Sequence, residues 1–96
     1  MSGSEAARLR PDAPEVHSAY GLALAAAGRP VEATAELSTS VRLDPEDPQA
    51  HFNLGRLLLD RADRAEAEKE LRTALRLDPN NAGAAEFLSR LGVKPN

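Results

Sequence analysis

An all-α fold, a short solenoid of stacked helical hairpins, is what this sequence predicts, and three observations predict it. The apolar residues, 42% of 96, are mostly Ala and Leu, with Tyr20, Phe52 and Phe87 as the aromatics. Ala and Leu are strong helix formers, whereas a sheet would draw on Val, Ile and aromatics. The chain also repeats itself at a period of 34: between Pro14–Asp47 and Pro48–Asn81, 13 of 34 positions are identical, too many for coincidence. Finally, each unit closes on the same tetrapeptide, Arg42-Leu43-Asp44-Pro45 and Arg76-Leu77-Asp78-Pro79.

Taken in order, the elements are as follows. Arg8-Leu9-Arg10-Pro11 falls one period before Arg42-Leu43-Asp44-Pro45, so residues 5–11 read as the end of a preceding helix. Five main helices are expected at 14–27, 30–43, 48–61, 64–77 and 82–91. Gly28 can take the left-handed conformation that ends the first, and Pro30 suits the first turn of the second. In the second unit Ala50, Leu54, Leu57 and Leu58 form one apolar stripe, and Ala67, Leu71, Ala74 and Leu75 repeat its spacing. Asp63 and Glu66 have the spacing of a capping box. Asp44-Pro45 and Asp78-Pro79 stop the second helix of each unit, because proline neither continues a helix nor tolerates one before it. In the closing helix Ala85, Leu88 and Leu91 are expected to face inward, with Phe87 on a flank. Short loops make neighbouring helices antiparallel. The whole, 1–96, is expected to be one domain: repeat one at 14–47, repeat two at 48–81 and a closing helix at 82–92.

The second unit reads His51-x2-Leu54-Gly55-x2-Leu58, then Ala67-x3-Leu71 and Pro79; the first reads His17-x2-Tyr20-Gly21-x2-Leu24, then Ala33-x3-Leu37 and Pro45. This resembles the tetratricopeptide repeat, whose pattern is Trp-x2-Leu-Gly-x2-Tyr, Ala-x3-Phe and Pro. Leu stands for the family's Phe and Tyr, and His for its Trp. The third unit is a first helix only, with Ser89 in the place of the small Gly. The resemblance implies a right-handed superhelix whose concave face is lined by the first helix of each unit. It also implies close helix crossings at Gly21 with Ala33 and at Gly55 with Ala67.

Composition removes several function classes. The net charge of −3 gives no footprint for phosphate backbones, so nucleic acid is not the expected partner. There are no cysteines for disulfides or thiolate metal sites. The longest uncharged stretch, Ser18–Gly28, is far shorter than a bilayer span. No secretory signature opens the chain, and a cytoplasmic setting is the default. No serine stands in a nucleophile elbow, and Glu32/Glu36 and Glu66/Glu70 are ordinary i, i+4 pairs on exposed faces. His17 and His51, one period apart, lack a third ligand and read as packing residues. Neither catalysis nor a cofactor is expected.

What remains is binding. The first helices offer Glu15, Ser18, Ala19, Leu22, Gln49, Phe52, Asn53, Arg56, Glu86, Phe87 and Arg90 to the concave face. Of these, Gln49, Phe52, Asn53, Arg56, Glu86 and Arg90 are the candidate peptide-binding residues: Phe52 an anchor, Asn53 a backbone ligand, Arg56 and Arg90 neighbours able to grip an acid. The family's carboxylate clamp for chaperone tails maps onto Glu15, Ala19, Asn53, Gly83 and Phe87, where only Asn53 matches, so that ligand is not expected. The leading expectation is a protein–protein interaction module. The alternative is a structural spacer or self-assembling segment of a larger protein, with the open solenoid ends associating.

Overall fold

The computed structural model describes residues 13–92. Within them the chain forms α1 (Pro14–Ala26), α2 (Pro30–Leu43), α3 (Pro48–Asp60), α4 (Arg64–Leu77) and α5 (Ala82–Arg90), with no strand among the described residues. α1, α3 and α5 each end one residue earlier than the apolar pattern implies. The expected helix end at 5–11 lies outside the described residues.

Proline, glycine and aspartate set the boundaries. Pro14, Pro30 and Pro48 occupy first turns, where a missing N–H costs nothing. After α1, Gly28 takes φ +80° and the Arg29 N–H returns to the Leu24 carbonyl at 2.9 Å, a six-to-one closure. The same turn after α3 uses Ala62 at φ +63°, with the Asp63 N–H on Leu58 O at 2.9 Å. The capping box expected at Asp63 and Glu66 is not formed: the Asp63 side chain makes no cap bond. That backbone closure already fixes the entry to α4, and Asp63 is left at ψ 76°, short of the extended geometry that aims Asp47 onto the Gln49 N–H at 3.0 Å. The two Asp-Pro ends are near copies. Asp44 and Asp78 sit at φ −141° and −139°, and their carboxylates accept from the N–H groups of Glu46 and Asn80 at 3.3 and 3.2 Å. These are Asx turns, the local alternative to another helical turn.

Packing follows the repeat. α1 lies against α2 and α3 against α4; α2 then covers α3 and α4 covers α5. Leu24, Ala33, Leu37, Leu54, Leu57, Leu58 and Ala67 make one buried cluster; Leu71, Ala74, Ala84 and Leu88 make a second, and Leu59 packs against both. In the closing helix it is Ala84, not Ala85, that leads the inward stripe with Leu88; Ala85 and Leu91 are only half-buried. At Gly21 an added Cβ would stand 2.8 Å from Leu37 Cγ and 3.2 Å from Ala33 O; at Gly55 the distances are 2.8 Å to Leu71 Cγ and 3.3 Å to Ala67 O. Hydrogen is the largest substituent that fits either crossing.

Candidate interaction surface

The stack curves toward its first helices. α1 touches α3 and α3 touches α5, whereas α2 and α4 do not approach one another. A double row in contact along one side and splayed along the other is concave on the contacting side. The residues that line this side come from α1, α3 and α5.

Two aromatic rings anchor its centre. Phe52 of α3 and Phe87 of α5 lie with centroids 5.9 Å apart at 50°, both half-buried. Phe52 reaches across to α5 because Gly83 has no side chain: a Cβ there would stand 2.8 Å from Phe52 Cζ. Each ring carries an arginine. The Arg56 guanidinium lies 5.8 Å from the Phe52 centroid and that of Arg90 lies 5.4 Å from the Phe87 centroid. The ring faces hold these cations by their quadrupoles, a contact of about 0.5–1 kcal/mol at an exposed site. Both pairs follow helical spacing, i, i+4 for Phe52/Arg56 and i, i+3 for Phe87/Arg90.

The two arginines differ in their neighbours. Arg90 meets Glu86 at 2.8 Å, but both side chains are exposed and such a pair contributes little. Arg56 has no carboxylate partner among the described residues and is exposed. Gln49 is exposed and donates from Nε2 to Asn53 Oδ1 at 3.3 Å. Asn53 itself is only 7% exposed, and its oxygen is taken by Gln49. Further toward α1, the Ser18 hydroxyl is taken by Ser40 at 2.6 Å, while Glu15, Ala19 and Leu22 remain exposed.

The histidines lie inside the repeats. His17 Nδ1 meets Glu36 Oε1 at 2.7 Å and His51 Nδ1 meets Glu70 Oε1 at 2.7 Å. His51 Nε2 also lies 2.9 Å from the Pro45 carbonyl oxygen, which only accepts. Each pair ties the first helix of a repeat to the second, and His51 also ties α3 to the end of repeat one. No group of three His, Asp or Glu that could hold a metal occurs among the described residues, and no described helix is long and apolar enough to cross a membrane.

Sequence reasoning did not find the ring-and-guanidinium pairs or the His–Glu pairs. Both had a signal: Phe-x3-Arg and Phe-x2-Arg on helix faces, and a His–Glu offset of 19 residues in both units.

Paired antiparallel helices, stacked in one layer with a curved inner face, define a helical-repeat protein. The profile of the tetratricopeptide repeat matches residues 24–91, and the chain belongs to that family. Repeats of this family generally mediate protein–protein interaction. No curated protein matches the chain.

Proposed function

We propose that the chain is a protein-binding module whose concave face holds a peptide segment carrying a carboxylate beside an apolar side chain. One observation carries this reading: two arginines stand on two phenylalanine rings that meet at a tilt, with centroids 5.9 Å apart, on the inner side of the curve. The rings offer an apolar seat and orient the guanidinium groups, which suit bidentate carboxylate contacts. Arg56 is the primary anion ligand, since Arg90 is shared with Glu86. Gln49 supplies an amide for the peptide backbone, with Asn53 behind it. Glu86 sets specificity by repelling acids from its own end of the face.

The module is one domain over 1–96, with repeats at 14–47 and 48–81 and a closing helix at 82–92, and its default setting is cytoplasmic. Four of the five clamp positions, Glu15, Ala19, Gly83 and Phe87, carry the wrong chemistry for chaperone tails. The excess of acidic residues argues against nucleic acid, and no serine stands in a Gly-x-Ser-x-Gly elbow.

The test is capture of partners from a native extract with wild type, Arg56→Glu and Arg72→Glu. Arg72 lies on α4 and pairs with Glu68 at 2.9 Å, away from the inner face. Binding should weaken with salt and fall about thirtyfold on Arg56→Glu, the cost of a central interface arginine at about 2 kcal/mol, while Arg72→Glu binds as wild type. Loss on Arg72→Glu with none on Arg56→Glu would place the interface on the convex side. A second reading is a structural spacer or self-assembling segment of a larger protein.

A further inference from the structure

Leu22, Arg56 and Arg90 hold the same place in α1, α3 and α5, each one repeat period from the next. Because α1 touches α3 and α3 touches α5, equivalent positions on these helices form a row across the inner face. All three side chains are exposed, Leu22 by 37%. That exposure belongs to the position itself. Arg56 keeps it with α1 on one side and α5 on the other, and with α2 and α4 packed behind, so the exposure of Leu22 does not turn on what precedes α1.

The row changes character along its length. At α5 the guanidinium is shared with Glu86 at 2.8 Å, and at α3 it has no carboxylate partner among the described residues. At α1 the row is aliphatic, with exposed Ala26 one turn beyond Leu22, and no Asp, Glu, Lys or Arg occurs from Val16 to Gly28. A ligand carboxylate therefore finds its partner at α3 and none at α1, while an apolar side chain finds the reverse. Resting on the reading of Arg56 as a carboxylate ligand, we infer that Leu22 is a further specificity-determining residue of this face. It seats an apolar side chain of the bound segment, one helix spacing from the carboxylate on Arg56.

That spacing fixes the pattern the ligand carries. Packed helices stand about 8–10 Å apart. A polyproline II segment rises about 3.1 Å per residue and returns to the same side every third residue, so its i and i+3 side chains lie about 9 Å apart on one face. A β-strand puts i and i+3 on opposite faces. The tilted Phe52 and Phe87 rings beside the row supply the aromatic wall on which polyproline II segments dock. The ligand class is an extended segment with an apolar residue and an acid three positions apart, in either chain direction.

The test is selection of random displayed peptides on the full chain, run on wild type, Leu22→Ser, Leu22→Arg, Leu22→Met and Val31→Ser, the last at a 64% exposed position on α2. Wild type should enrich an apolar residue at the i+3 spacing from Asp or Glu. Leu22→Ser should keep the acid, lose the apolar preference and bind the wild-type peptides about tenfold more weakly, with an unchanged thermal melt. Leu22→Arg should replace the apolar residue by a second acid, while Leu22→Met and Val31→Ser select as wild type does. An acid enriched without an apolar residue at that spacing, or an apolar preference that neither Leu22→Ser nor Leu22→Arg moves, would overturn this inference and leave the reading of Arg56 standing. An apolar residue two helical turns from the acid would mark a helical ligand and overturn the extended one. No preference for an acid at all would remove both readings together.

Discussion

Repeat one and repeat two are built on the same internal plan and live in different surroundings. Within each, the glycine crossing, the buried Leu37 or Leu71 and the His–Glu pair have nearly the same geometry. Around them the burial diverges. Tyr20 is 55% exposed where Leu54 is 5%, and the His17–Glu36 side chains are 23% and 28% exposed where those of His51–Glu70 are 9% and 13%. The difference comes from neighbours: α3 is covered by α2 and supported by α5, while among the described helices α1 has neighbours on one side. In a quasi-one-dimensional stack, stability is the sum of intrinsic repeat terms and interface terms. Among the described helices, repeat two receives two interfaces and repeat one receives one.

The largest way to break that symmetry is at the histidines. His51→Ala leaves the Glu70 carboxylate and the Pro45 carbonyl without partners in a nearly closed site, and should cost about 3 kcal/mol. His17→Ala exposes Glu36 to water that already reaches it, and should cost about 1 kcal/mol or less. Paired denaturant melts would check this, and equal losses would mean that the neighbouring helices do not set the cost. The crossings test the opposite point, what the repeats share. Gly21→Ala and Gly55→Ala should each lose about 1–3 kcal/mol by overpacking against Leu37 or Leu71. Gly55→Leu should lose more, and a wild-type melting temperature for it would mean the helices do not cross there.

A smaller pair concerns the turns. Gly28 and Ala62 hold equivalent left-handed positions, at φ +80° and +63°. Ala62→Gly should therefore stabilise by about 0.5–1 kcal/mol, and Gly28→Ala should destabilise by about 1 kcal/mol through backbone strain alone, since nothing lies within 4 Å of its added Cβ. Thermal melts of opposite sign for the two exchanges are the expected result.

The helices could be read from the sequence because their signals are local. The period, the Asp-Pro stops, Gly28 and the first-turn prolines each act within a few residues, and the helix ends came within one residue. The site was less legible, because its contacts cross between helices. Phe52 reaches Phe87 only because Gly83 clears the way, and Asn53 is buried with its oxygen taken by Gln49; periodicity carries no crossing angle. The cap at Asp63 failed for a subtler reason: the spacing was right, but the backbone closure from Leu58 left the side chain unaimed. Position 20 showed the same dependence on surroundings, since the repeat pattern marks it as inward whether or not a neighbour is there.

The central claim is that the inner face of α3 and α5 recognises an acidic segment through Arg56 and Arg90. Selection of random displayed peptides on the immobilised chain, run in parallel on wild type and an Arg56→Glu/Arg90→Glu variant, measures it without a known partner. Wild type should enrich sequences with Asp or Glu next to an apolar residue, and the variant should lose them. Enrichment that is basic or charge-indifferent, or that survives unchanged in the variant, would contradict the account.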